Sequence, residues 1–400
     1  MKFREIAGKL LTVATCLAAL APWSTFAQGS VKPELRIGVV LAASGGAASI
    51  GLPERSSVAL LADQLADAKL PFTVKIVSYD DASDPTKSAN AVRRLIQEDK
   101  VHLVVCCTTT PSSLAVLDIL TSSKTPSITL AAAASAVEPV AERKYVFKAS
   151  ATDRLMIERM LDEVGRRKAT RLAAVFADDS YGESGLNALN GMIPASKLNL
   201  TATERVARTD TNFTSQALRV RQSNPEVVYI HTYTPACYLM QDALRRVGYT
   251  GPIIQSQGAA SLSFLTLGGK SVENTAVIVS PVMVLDQLPA SHPMKPALEE
   301  FVTTYDKKYG EAKADNYSAM GWDTIKLTVH AFGRLVDKGT DVSNLDATRE
   351  ALRDSIETTT NFVAASGIFN FTPQDHVGLD RKTALPMSEI RNGKFTLINP

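Results

Sequence analysis

From Leu35 to Ser280, short apolar runs alternate with segments whose apolar residues recur every three or four positions. That alternation predicts strands interleaved with amphipathic helices. Leu35–Leu41 reads as a buried strand. Pro53–Ala68 reads as a helix with Val58, Leu61 and Leu65 on one face and its proline near the first turn. Phe72–Ser78 is a second strand. Asp84-Pro85 then offers an N-cap with Pro at the first helical position, and Ala89, Val92 and Ile96 form the buried stripe. Val101–Val105 and Ser127–Leu130 are strands flanking a helix near Ser112–Thr121.

The pattern starts afresh after Tyr145–Ala149. Asp153 is the expected cap of a helix to Val164, and strand Leu172–Phe176 follows. Helices Gly182–Met192 and Thr211–Arg221 lead to strand Val227–Thr232. Helix Pro235–Val247 is stopped by Gly248, a suitable residue just past a helix end. Ile253–Gln257 and Ala276–Ser280 complete this second set of strands. Beyond them Pro296–Tyr309, Ala319–Lys338 and Asp346–Ile356 are helical in pattern, and Gly367–Phe371 and Phe395–Ile398 are strand-like.

Crossovers this short between strands call for parallel sheets covered on both faces. The expected architecture is α/β: two doubly wound parallel-sheet lobes with a multi-crossing hinge near Ser150. Residues 32–150 with 281–360 would form the first lobe, and 151–280 with 361–400 the second. A chain that crosses more than once bends without letting its lobes drift apart.

The first residues narrow the compartment. Lys2, Arg4 and Lys9 precede a mostly apolar run from Leu10 to Trp23, and Thr25-Phe26-Ala27 resembles a signal-peptidase site. Residues 1–27 are expected to be a cleaved export signal, removed near Ala27, which places the mature chain in the periplasm. Cleavage removes three of the 43 basic and one of the 41 acidic residues, so the mature chain is formally neutral. Nucleic acid and anionic membranes, which select basic surfaces, are not expected partners. Cys106, Cys107 and Cys237 remain; adjacent positions of a strand face opposite ways, so Cys106 and Cys107 read as small buried hydrophobes rather than a bridge.

Enzyme signatures are missing. The five histidines (102, 231, 292, 330 and 376) form no HxH or HExxH spacing, so neither a metal nor another cofactor is expected. Gly182-Glu183-Ser184-Gly185 misses the nucleophile-elbow pattern by one residue, and no phosphate-binding glycine loop occurs. The chain reads as a binder and not as an enzyme.

In open α/β sheets ligands bind beyond the carboxyl ends of the strands. There the chain places Thr108–Thr110, Ala131–Ala134, Asp178–Tyr181 and Thr232–Tyr233. Hydroxyls beside the free N–H groups of a helix start suit a carboxylate, and small alanines let a ligand approach the backbone. Tyr181 and Tyr233 offer flat apolar faces with polar tips, and Gln257 a neutral amide.

At these loops the chain closely resembles the type I periplasmic solute-binding proteins of ABC importers, in the leucine/isoleucine/valine-binding branch. The resemblance runs from Leu35 to Ile398 and rests on the order of IGVVLAASGGAASIG, SYDDASDPTKSANAVRRLI, FADDSYGESGLNAL, VVYIHTYTPACYLMQDALRRVGY, DNYSAMGWDTIKL and GIFNFTPQDHVGLDRK. It implies a Venus-flytrap that carries a small solute, as a monomer, to a permease in the inner membrane. Carried over by position, the carboxylate-binding hydroxyl falls on Thr110 and the backbone-donating loop on Ala131, Ala132 and Ala133. The second-lobe aromatics fall on Tyr181 and Tyr233, the ammonium-binding acid on Gln257, and the first-lobe aromatic on Ile50. Ala133 stands where a hydroxyl is usual, with Ser135 close by. Gln257 in place of an acid points to a carboxylate solute without an α-amino group, because a buried ammonium needs a countercharge. The alternatives are a branched-chain amino acid, with Asp178 or Asp179 supplying that charge, or a sensing module feeding a signalling partner.

Overall fold

The computed structural model describes residues 32–311 and 313–398; the expected leader, residues 1–27, lies outside them. The first half runs β1 (Glu34–Leu41), α1 (Ala48–Asp67), β2 (Thr73–Asp80), α2 (Pro85–Gln97), β3 (Leu103–Cys106), α3 (Thr110–Ala115), α4 (Leu117–Ser122), β4 (Ser127–Thr129) and β5 (Val146–Lys148). Next come α5 (Asp153–Arg166), β6 (Arg171–Ala177), α6 (Ser180–Met192), β7 (Asn199–Val206), α7 (Thr214–Gln222), β8 (Val227–His231), α8 (Ala236–Arg246), β9 (Ile253–Gln255), α9 (Leu262–Gly268) and β10 (Ala276–Ile278). The last part adds α10 (Lys295–Tyr309), α11 (Asn316–Asp337), α12 (Leu345–Glu357), β11 (Phe362–Val363), β12 (Ile368–Phe369), α13 (Arg381–Ala384), β13 (Met387–Arg391) and β14 (Lys394–Leu397).

Two sheets form the two lobes. The first, β2-β1-β3-β4-β5, is wholly parallel. The second, β14-β13-β10-β9-β8-β6-β7, is parallel from β7 to β10 and gains an antiparallel hairpin at the other edge. Strands covered on both faces should be apolar throughout. β1, β3 and β8 are accordingly almost continuous runs of buried residues.

The chain passes between the lobes at 149–152, again after β10, and finally between His376 and β13. The helix α11 lies along α1, and α12 packs on α11. Arg349 of α12 ties this layer to the first sheet, its Nε donating to Val101 O at 3.0 Å. The boundary expected at residue 361 falls later. Asp323 of α11 accepts from the backbone N–H of Ala365 and Ser366, and Lys148 N donates to His376 O at 3.0 Å. Residues 362–376 therefore stay with the first lobe, and only β13 and β14 join the second sheet.

Several local signals act as their chemistry requires. Asp84 caps α2, accepting from Thr86 N at 2.7 Å and Lys87 N at 3.2 Å. Gly248 closes α8 at φ +84°, donating to Arg245 O, while Tyr249 N reaches back to Leu244 O. Two expectations fail. Thr152, not Asp153, caps α5, which frees the Asp153 carboxylate to meet His231. Cys106 and Cys107 are joined by a disulfide across a cis peptide, their Cα atoms 3.0 Å apart. β3 ends at Cys106, so Cys107 lies beyond it and the alternation of a strand, which put the two side chains on opposite faces, does not reach it.

Candidate ligand-binding cleft

The helix α1 begins a turn earlier than Pro53 suggested, so Ile50 and Glu54 both fall within it. Residues four apart share a helix face, and here that face looks into a cleft. Gly321 of α11 allows the close crossing: a Cβ there would lie 2.4 Å from Glu54 O. Asn316, Tyr317 and Met320 of α11 line the same cleft as Glu54. Strand register supplies the next wall. β1 pairs with β3 so that Val40 lies opposite Cys106, and beyond this pair Ala42 N donates to Thr108 Oγ1 at 3.1 Å.

The result is a cavity of about 520 Å³, counted out to its open mouth. Ile50, Glu54, Thr108–Thr110, Leu130, Ala132 and Asn316 line it from the first lobe, and Met156, Tyr181, Tyr233, Gln257 and Gly258 from the second. Six of the eight residues carried over from the family pattern meet here: Ile50, Thr110, Ala132, Tyr181, Tyr233 and Gln257. Ala131 and Ala133 do not line the cavity. Their carbonyls turn toward Lys148 Nζ, and Ala131 O also accepts from Ser150 Oγ at 2.9 Å. Ser135 opens instead on a separate recess with Arg154, Ser180 and Glu183.

Lys148 is fully buried beneath this loop, and that burial pushes its ammonium down to about 7 against the pull of Asp153 and Glu138. In the Thr108–Thr110 turn, Thr109 caps α3 through Ser112 N. The Thr110 side chain is left at the cavity wall.

The tyrosines are not loose covers. Tyr181 lies in the first turn of α6, where Asp179 caps its N–H, and its hydroxyl pairs with Ser256 Oγ at 3.1 Å. Its ring stacks on Tyr233 at 5.5 Å and on His231 at 4.3 Å. His231 is held in turn by the Tyr229 hydroxyl and Asp153. The Tyr233 hydroxyl donates to Asp179 Oδ2 and accepts from Arg208, whose Nη2 is 2.7 Å away. Both hydroxyls are thus engaged within the second lobe, Arg208 lies over the Tyr233 ring with Cζ 4.6 Å from its centroid, and both tyrosines line the cavity.

Glu54 is the feature that pattern reading missed. It is 0% exposed, and its Oε2 accepts from Thr108 Oγ1 at 2.5 Å. Burial holds its carboxyl well above the usual range; the Thr108 bond opposes this, while nearby Asp81 and Asp315 add to it. Asp178 and Asp179, expected as possible countercharges, do not line the cavity. The available signal was spacing: Glu54 follows Ile50 by four. Asn316, Tyr317 and Met320 lie within DNYSAMGWDTIKL, a stretch that carried the resemblance but suggested no site.

Known proteins share this fold. Residues 34–393 match the family model described as periplasmic binding protein. An extracellular ligand-binding receptor from Rhodopseudomonas palustris HaA2 superposes with a TM-score of 0.85 at 32% identity, over 91% of this chain and 99% of that one. The Leu/Ile/Val-binding protein of Escherichia coli K12 is 26% identical over 74% of this chain and 78% of its own. A leucine binding protein from Thermotoga maritima, at 23% identity, has the same fold, with a TM-score of 0.75 over 91% of this chain and 98% of that one. These relatives bind solutes and are not enzymes. With that match spanning both lobes and the cleft between them, the chain belongs to the periplasmic binding protein family, in its Leu/Ile/Val-binding type.

Proposed function

We propose that this protein is exported to the periplasm, captures a small carboxylate-bearing solute between its lobes and delivers it, as a monomer, to the permease of an ABC importer. The observation that carries this reading is that Thr110 of the first lobe and Tyr233 of the second line one cavity. The Thr110 hydroxyl offers an uncharged donor for the carboxylate at the cavity wall. The stacked tyrosines cover the apolar body of the solute and move as one body with the second lobe. Affinity then comes from enclosure, with ligand shifting the lobes from open to closed.

A second reading is favoured by the relatives named for leucine, isoleucine and valine. An amino acid would need a countercharge for its ammonium, and Glu54 is the carboxylate in the cavity wall. A thermal-shift screen followed by calorimetry separates the two. Tight binding of aromatic or aliphatic acids with no response to leucine, isoleucine or valine supports the first reading. The opposite ranking supports the second. Unchanged dimensions in solution scattering at saturating ligand would count against closure.

A further inference from the structure

Two polar atoms of the cavity wall have nothing to bond. Glu54 Oε1 and Asn316 Oδ1 are buried without a hydrogen-bond partner among the described residues, in side chains 0% and 1% exposed. Both residues line the cavity. Unpaired polar atoms at such depth are costly, and they persist where something else completes them. Their position is set by two packed helices rather than by a loop, because Gly321 draws α11 onto the backbone of Glu54. The arrangement is therefore built into the core of the first lobe.

We infer that Glu54 and Asn316 form a polar subsite for a neutral hydroxyl of the ligand, so that the solute is a small hydroxy acid. This rests on the carboxylate-solute reading and narrows it. The Thr108 hydroxyl already donates to Glu54 Oε2, which leaves Oε1 as the free oxygen of the carboxyl. Burial among Asp81 and Asp315 favours the protonated carboxyl, and Oε1 then donates. Asn316 Oδ1 accepts; its Nδ2 lies 3.6 Å from Met320 Sδ. A hydroxyl has both an acceptor and a donor to offer this pair. An ammonium has donors only and would require an ionised Glu54, and an aliphatic side chain would leave both atoms unpaired.

The test is calorimetry on the mature protein at pH 7 with matched probes: benzoate against 3- and 4-hydroxybenzoate, pentanoate against 5-hydroxypentanoate, and leucine. A site built to bond a hydroxyl rejects the analogue that lacks it, so at least one hydroxy acid should bind about 10-fold or more tighter than its partner. Glu54→Leu and Asn316→Leu should each bring the ratio of hydroxy-acid to plain-acid affinity to about one, whatever happens to the absolute affinities, and Glu54→Gln should keep part of the preference. Melting of the unliganded variants checks that they fold. Should Glu54→Leu fail to fold, Glu54→Gln and Asn316→Leu carry the same comparison. Plain and hydroxy acids binding equally would remove the subsite and leave the acid reading intact. Tight leucine binding abolished by Glu54→Gln would replace the hydroxyl by an ammonium. No binding of any acid would overturn both.

Discussion

Closure has a single-bond test. Tyr317 of α11, in the first lobe, donates its hydroxyl to Gly258 O after β9 of the second lobe, at 3.0 Å. Burial holds the Tyr317 phenol well above its usual range, so the hydroxyl remains a donor at working pH. Tyr317→Phe removes this bond and little else, and it leaves the Gly258 carbonyl unpaired whenever the lobes are shut. Stranding one partner of a buried hydrogen bond costs about 1–2 kcal/mol. Since the bond spans the cleft, the open state does not pay this cost; the whole loss falls on the closing equilibrium and weakens affinity by about 5- to 30-fold. Calorimetry with a bound acid gives the affinity, and stopped-flow release should place most of the change in the off-rate. Unliganded protein should melt at the wild-type temperature. Affinity within twofold of wild type would refute the reasoning. So would an equal drop in melting temperature with and without ligand, because the bond would then belong to the resting fold.

Three further outcomes follow from the packing. Gly321→Ala puts a Cβ 2.4 Å from Glu54 O, a backbone atom that cannot move alone; a loss of about 1–3 kcal/mol in chemical denaturation is expected, with weakened ligand binding because Glu54 shifts. Asp84→Ala removes a cap that accepts from Thr86 N and Lys87 N and should cost about 1 kcal/mol in the same assay without changing affinity. Burial pushes His102 from 6.5 down to about 4, so the unfolded chain binds the proton first as pH falls. The stability tied to its neutral form is complete above pH 6.5 and lost toward pH 4, about 3 kcal/mol in all. His102→Asn should flatten the fall in unfolding free energy between pH 7 and pH 5 by about 2 kcal/mol, and an unchanged slope would refute it.

Much of the fold was legible in the chain because its buried strands are near-continuous apolar runs. Leu35–Leu41, Leu172–Phe176 and Val227–Thr232 each fall within a residue or two of β1, β6 and β8. The edge strand β7 escaped notice because NLTATERV is mostly polar and only partly buried, as an edge exposed to water allows. β13 escaped for a related reason: MSEIR is short and carries charges, and its place is decided by pairing with β10.

The sequence by itself determined the α/β alternation, the caps and the turns, since these depend on neighbours within a few positions. It also put Thr110, Tyr181, Tyr233 and Gln257 at strand ends, where a ligand could meet them. Only the tertiary structure decided which of them share a wall. It turned the carbonyls of Ala131 and Ala133 toward Lys148, engaged both tyrosine hydroxyls, and buried Glu54 against Thr108, 54 residues away in the chain. Such contacts are set by helix crossings and strand register, and neither leaves a local trace in the order of residues.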